Sequence, residues 1–400
     1  EYRMKFIMPK DYHDAFSGNT NYFDSFRACL EKGRAAMDYD RKWAEFAKDT
    51  GPIRRGIGAA PFWYNTGVYP ISLETASNRM QLNLDGTVTM QCGETEIGQG
   101  ADTAYAQMTA KAVGLKSYKD VHVVSCQDTD ITPTGLGAYA SRQTYMQGFA
   151  IAQTAALLRE RILAYAAEML NCAAEELDIR EGNIVRRDSG AVEMDLSHLA
   201  MTAQYNPVHS EHITAESTAT IRSNAYSFGC TFAEVEVDIP MCKVKLLNIV
   251  NVHDCGTLIN PALAEAQVHG GMSMGIGYAL TEETKFDPKT ARLLHAHLLD
   301  YKMPTSMDHP DLTALFVETS DFKDMSDDNR SRLRANLRLA EELGARIATV
   351  YGDDTPLQIA EYARASGVTK IVLGRSNNKR FFWERSKNLV DRLNALAPDL

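Results

Sequence analysis

The stretch Cys92-Gly93-Glu94-Thr95-Glu96-Ile97-Gly98-Gln99-Gly100-Ala101-Asp102-Thr103 decides how this chain is read. Residues 87–91 before it are strand-like and open on an Asp85-Gly86 turn. Residues 103–113 after it carry Ala, Met, Gln and Lys at helical spacing. Gly98 and Gly100 therefore bracket Gln99 where a helix begins. Glycine lets backbone come close to a ligand, and the free N–H groups of a first helical turn favour an anion. The Gln99 amide can both donate and accept. A tight strand-to-helix turn capped by a Thr or Asp explains the same residues equally well, because Gly-x-Gly alone is a common pattern.

A second loop of this kind follows. Residues 121–125 read as a buried strand, 128–137 as a loop rich in Thr, Pro and Gly, and Gly137-Ala138-Tyr139-Ala140-Ser141-Arg142-Gln143-Thr144 as the entry to a helix reaching about residue 170. Ser141 or Thr144 would serve as its N-cap. A third junction, Val252-His253-Asp254-Cys255-Gly256-Thr257-Leu258-Ile259-Asn260-Pro261, puts Pro261 at the first position of a helix that carries Gln267. Glycines 270, 271, 275 and 277 in that helix are costly unless something packs very close to them.

Elsewhere, 21–49 reads as one or two amphipathic helices, 53–91 as short strands, 173–187 as a short helix and hairpin, and 230–239 with 243–252 as paired strands. His209 and His212 fall in a presumed strand on opposite faces, and His295 and His297 share a face without a third metal ligand nearby. No protein-ligated metal is expected.

The chain has 400 residues, 44 % of them apolar and 24 % charged, enough for two or three soluble domains. A formal charge of −10 argues against nucleic acid or an anionic membrane as partner, and no apolar run is long enough for a membrane span. The seven cysteines form no Cys-x-x-Cys pair, which speaks against an iron–sulfur cluster on this chain and suits reduced thiols in the cytoplasm. Glu1-Tyr2-Arg3-Met4 has neither an initiator Met nor a signal pattern, so the chain is expected to be an excerpt of a longer one.

With these motifs in view, residues from about 50 to 320 resemble the molybdenum-binding subunit of bacterial xanthine dehydrogenases, within the xanthine dehydrogenase/aldehyde oxidase family. The motifs at 93–100 and 138–145, Asn260-Pro261 with Gln267-Val268-His269-Gly270-Gly271, and the segments 228–232 and 299–305 carry the match. The resemblance implies an α+β fold and molybdopterin, alone or as a dinucleotide, whose dithiolene holds the molybdenum. It also implies that Gly98, Gln99, Gly100, Ala140, Ser141, Arg142, Gln143 and Gln267 line that cofactor. The implied reaction is hydroxylation, with oxygen from water, of a purine such as xanthine or hypoxanthine, and electrons leave through FAD-binding and 2Fe–2S partner subunits.

The chain departs from the family in one decisive place. The family's catalytic glutamate lies in a Gly-Glu-Pro segment that does not follow Phe316-Val317-Glu318-Thr319-Ser320 here. No catalytic residue is therefore assigned, and Glu94, Glu96 and Glu318 are the remaining candidate bases. Beyond residue 320 the composition changes: 321–400 hold 14 Lys+Arg against 12 Asp+Glu and no cysteine. Residues from about 313 resemble the universal-stress-like domain of potassium-responsive sensor histidine kinases, through 333–344, 359–363 and 371–376. The expected organisation is a helical remnant at 1–52, a second molybdopterin-binding domain at 53–320 and a partial universal-stress-like α/β unit at 321–400, a fusion of two fragments. A nucleotide-sensing module or a non-functional fusion are the rival readings.

Overall fold

The structure is a computed structural model that describes residues 3–126, 128–317, Thr319 and Ile359. The chain divides into Glu1–Ser320 and Asp321–Leu400. The helices and strands expected within 326–373 lie outside the described residues, apart from Ile359. The architecture below is that of the first unit.

Its elements in chain order are β1 (Tyr12–His13), β2 (Thr20–Asn21), α1 (Ser25–Ala36), α2 (Tyr39–Phe46), β3 (Ile53–Thr66), β4 (Glu74–Leu82), β5 (Val88–Cys92), α3 (Ala101–Val113), β6 (Val121–Val124) and α4 (Gln143–Leu170). These are followed by β7 (Leu177–Arg180), β8 (Asn183–Arg186), β9 (Val192–Asp195), α5 (Leu196–Gln204), β10 (Thr214–Ile221), β11 (Ala225–Asp238), β12 (Lys243–Asp254), α6 (Pro261–Leu280) and β13 (Leu312–Phe316). Helices and mostly antiparallel sheets segregate into layers, an α+β arrangement.

One sheet has the order β10-β4-β5-β6, antiparallel except where β6 runs parallel to β5. In β4 every second residue turns inward: Glu74, Ala76, Asn78, Met80 and Leu82. Val88, Met90 and Cys92 do the same on β5. α3 and α4 cover that face, and Tyr105, Val113, Ile151, Leu158 and Ile162 complete the core with it. The parallel β5–β6 pair requires a crossover, and α3 supplies it. The antiparallel sheet β7-β8-β9 and α5 follow α4.

The second sheet has the order β13-β12-β11-β3. α1 and α2 lie against it, where Phe26, Cys29 and Leu30 pack with Phe228, Phe232, Val250 and Val252. A Cβ on Gly33 would sit 2.2 Å from the Phe232 ring, so only glycine lets α1 approach this closely. A separate cluster joins Ile249 on β12 to Met272 and Ile276 of α6.

β3 is one 14-residue strand where the sequence suggested short pieces. Gly56, Gly58 and Pro61 break the strand pattern, yet among the described residues β3 pairs only with β11, and an edge strand tolerates a residue without an N–H. Trp63 on β3 is half exposed and packs edge-on to Tyr226, while Trp43 on α2 stacks on Tyr39. His209 and His212 lie in the irregular segment before β10, not in a strand. Among the described residues no helix is long and apolar enough to cross a membrane.

Candidate functional site

The loops at 93–100 and 126–142 cross at two glycines. A Cβ on Gly93 would lie 2.1 Å from the Pro133 carbonyl and 2.2 Å from the Gly135 nitrogen, and one on Gly135 would lie 2.2 Å from the Gly93 carbonyl. Backbone meets backbone here, so neither position admits a side chain. This crossing fixes the level at which both loops enter their helices.

Below the crossing lies Arg142, with no exposed surface. Its Nε donates to Glu74 Oε2 at 2.6 Å and its Nη1 to Glu94 Oε1 at 2.9 Å and the Gly137 carbonyl at 3.3 Å, while Nη2 donates to the Thr75 carbonyl. Glu74 and Glu94 are also fully buried. Glu74 Oε1 accepts from the Val68 amide at 2.8 Å, and the Gly67 amide donates to the Ala140 carbonyl at 2.9 Å. Three loops are thereby tied to one guanidinium. Burial pushes the Glu94 carboxyl above its ordinary range, and Arg142 only partly offsets this. Burial also works against the Arg142 charge, but the two glutamates outweigh it and hold the guanidinium protonated.

At the level of the helix starts, Gln99 Nε2 donates to Gln143 Oε1 at 2.8 Å and to the Thr95 carbonyl at 2.9 Å. Gln143 Nε2 donates to the same carbonyl at 3.1 Å, and Gln99 Oε1 accepts from the Ile97 amide at 2.7 Å. Ala140 and Ser141 both have positive φ, 50° and 52°, an unusual pair for residues with a Cβ. The bonds around Arg142 and Gly67 hold them there. Gly98 has a φ of 100° and open space where a Cβ would stand.

α6 completes the site. Asn260 caps it by accepting from the Leu263 amide at 3.1 Å, and its Nδ2 donates to Gln107 Oε1 of α3 at 3.1 Å. Leu263 lies against Gly100, where a Cβ would be 2.8 Å from its methyls. Gln267 sits one helical turn beyond Leu263, on the same stripe, and is exposed. Cβ atoms on Gly270, Gly271 or Gly275 would meet nothing within 4 Å among the described residues. The helix also presents Met274 and Tyr278 to the outside, although its sequence is apolar all round.

Several expectations are corrected by this geometry. The start of α3 has no capping Thr or Asp. Glu96 takes that place, with Oε1 accepting from the Gly98 and Gly100 amides at 2.7 and 3.0 Å and Oε2 from Asp102 at 3.1 Å. Burial raises the Glu96 carboxyl, but these amides outweigh it and hold the group below its usual range. The anion attracted by this helix is thus the chain's own. Ser141 and Thr144 do not cap α4, whose N-cap is Arg142 without a side-chain bond. The Arg142 side chain faces the interior, with no surface open to a ligand. Glu94 and Glu96 are both engaged, so neither is placed as a base, and Glu318 lies outside the described residues.

Sequence reasoning missed Glu74, Gly135 and Leu263. A glutamate at the inward phase of a cleanly alternating strand is a signal for the first. Nothing in a single sequence pairs Gly93 with Gly135. His295 Nδ1 contacts the Glu283 carbonyl, His297 lies near Asp300, and no metal-holding cluster occurs among the described residues.

Residues 32–310 match the molybdopterin cofactor-binding domain model. The putative xanthine dehydrogenase molybdenum-binding subunit of Escherichia coli is 46% identical over 307 residues, covering 76% of this chain and 41% of that protein. The carbon monoxide dehydrogenase large chain of Hydrogenophaga pseudoflava is 28% identical, over 71% of this chain and 37% of its own. Quinoline 2-oxidoreductase of Pseudomonas putida superposes with a TM-score of 0.69 at 26% identity, over 78% of this chain and 41% of that structure. The chain therefore spans about two fifths of the length of these relatives. The chain belongs to the molybdopterin cofactor-binding domain family.

Proposed function

We propose that residues 53–320 form the second molybdopterin-contacting part of a molybdenum hydroxylase subunit. Gly98–Gly100, Ala140–Gln143 and Gln267 would contact the cofactor. The observation that carries this reading is the convergence of three helix starts, with Gln99 bonded to Gln143 and Gly100 seated on Leu263. When bound, the molybdenum–pterin group supplies two-electron oxidation coupled to oxygen drawn from water. The chain's own part is to bind and orient: Gly98 and Ser141 bring exposed backbone to the site, Gln99 and Gln143 brace each other, and the exposed Gln267 amide adds donors and an acceptor. Arg142, buried beneath, keeps the loops in place. The substrate proposed is a purine such as xanthine, for which the similar Escherichia coli protein is named, or hypoxanthine; FAD-binding and 2Fe–2S subunits as electron acceptors follow from the sequence resemblance.

We further propose that this 400-residue chain does not turn over xanthine. No Gly-Glu-Pro segment follows residue 320, and Glu94 and Glu96 are committed to Arg142 and to the start of α3. Loss of a positioned base alone costs about 10²- to 10⁴-fold. The test is to purify the chain from a molybdopterin-producing host and measure molybdenum by mass spectrometry and pterin by fluorescence after oxidation. Bound pterin that falls on Gln99→Ala and Gln267→Ala supports the site, and a chain that carries none overturns it. Xanthine-dependent dye reduction at the rate of an intact relative would overturn the inactivity.

A further inference from the structure

Three side chains in the layer between the β4–β5 sheet and helices α3 and α4 carry polar atoms without a hydrogen-bond partner among the described residues. They are the Tyr105 hydroxyl and both amide atoms of Asn78 and of Gln147. All three residues have no exposed surface. Buried polar side chains in folded proteins are almost always bonded, to protein or to ordered water. Five orphan atoms in one layer therefore need a common explanation.

The topology brings them into one layer between the sheet and the two helices. Asn78 is an inward residue of β4, directly across from Cys92 of β5. On its own strand it stands between Ala76, in the cluster with Met146 and Ala150, and Met80, in the cluster with Ile151 and Tyr105. On α4 the Thr154 hydroxyl donates to the Asn78 carbonyl at 3.4 Å, and Gln147 lies two turns before it. One turn earlier Gln143 holds the Thr95–Gln99 loop, and one turn later Ile151 enters the cluster of Met80 and Tyr105. Tyr105 approaches from α3, within electrostatic range of Cys92, Glu94, Asp102 and Arg142. Burial pushes both the Tyr105 phenol and the Cys92 thiol upward, as a site closed to bulk solvent requires.

The inventory suits one class of ligand. Each amide offers two N–H donors and a carbonyl acceptor, and the phenol offers one donor and one acceptor. A cation would leave the amide N–H groups unmet, and an anion would leave the carbonyls unmet. Water answers both, since a buried molecule makes two to four bonds of either sense.

We propose that Asn78, Tyr105 and Gln147 line an internal binding site for ordered water, beneath the loop that starts α3. At least two molecules bridge the amides to the phenol. The site belongs to the folded chain itself and does not rest on cofactor binding.

The experiment is a high-resolution crystal structure of the chain together with oxygen-17 magnetic relaxation dispersion in solution. Expected are ordered waters bonded to these three side chains and a dispersion amplitude that falls in the Asn78→Leu/Gln147→Leu double variant. Direct amide–amide bonding without water density, or an amplitude unchanged by the variant, overturns the proposal. Should the double variant not fold, Tyr105→Phe keeps the ring and removes only the hydroxyl. Loss of the water at that position supports the site, and an unaltered set of long-lived waters refutes it.

Discussion

At the scale of single residues, Arg142 is where charge, burial and loop geometry meet. Arg142→Met would leave Glu74 and Glu94 facing each other without a cation in a closed interior. Removing one partner of such a buried set costs about 3–5 kcal/mol, so a large drop in the urea midpoint is expected. Arg142→Lys keeps the charge but cannot reach Glu74, Glu94 and Thr75 at once, and is expected to recover only part of the loss. Glu96 gives a different signature. Its folded-state pKa lies below the ordinary 4.5, so its contribution is present above pH 4.5 and fades as pH falls through the folded value. Glu96→Gln should cost about 1 kcal/mol at pH 7, and the gap from the parent chain should close in denaturation series carried down to pH 3. Glu94 runs the other way: its ionised form is penalised by burial, and that penalty is relieved on acidification toward pH 4.5. The motif around Arg142 was visible in the sequence, but not the direction its side chain takes. That direction depends on Glu74, nearly seventy positions earlier, and no local pattern links the two.

At the scale of elements, the glycines separate into those that permit contact inside the chain and those that leave a surface bare. Gly93→Ala or Gly135→Ala would drive a methyl into the opposite backbone at about 2 Å, and is expected to separate the two loops. Faster proteolysis at 126–142 and loss of pterin retention are the measurements. Gly271→Ala meets no obstacle among the described residues. In a helix interior that exchange stabilises by about 0.5–1 kcal/mol. A higher melting temperature together with lower pterin retention is expected, and would show that the bare surface serves contact rather than folding. Strand–loop–helix order was legible throughout, because inward alternation on β4 and helical spacing on α3 and α4 are local signals. β3 was not, because Gly56, Gly58 and Pro61 obey the rules of an edge, and edge position is a property of the whole sheet.

At the scale of the molecule, the division at Ser320 coincides with a change in charge: residues 321–400 carry two net positive charges, while the chain as a whole is at −10. Residues 1–320 expressed alone are expected to melt at the temperature of the same transition in the full chain, and limited proteolysis at 321–328 should release them. A lower melting temperature for the truncated chain would count against independent units. The position of the indoles has a practical consequence for such experiments. Trp43 and Trp63 both belong to the layers around β3 and β11, and Trp383 lies outside the described residues. Tyrosines 105, 139, 145 and 165, with Phe149, are the aromatic residues of α3, α4 and the loop at 137–143. Emission from Trp43 and Trp63, the two tryptophans of residues 1–320, thus follows the sheet that carries no site residue, and a ligand settling on Gln99 and Gln143 can leave that signal flat. Tyrosine absorbance or fluorinated tyrosine resonances are the optical and magnetic reporters for the loops, and a silent tryptophan titration is not a negative binding result.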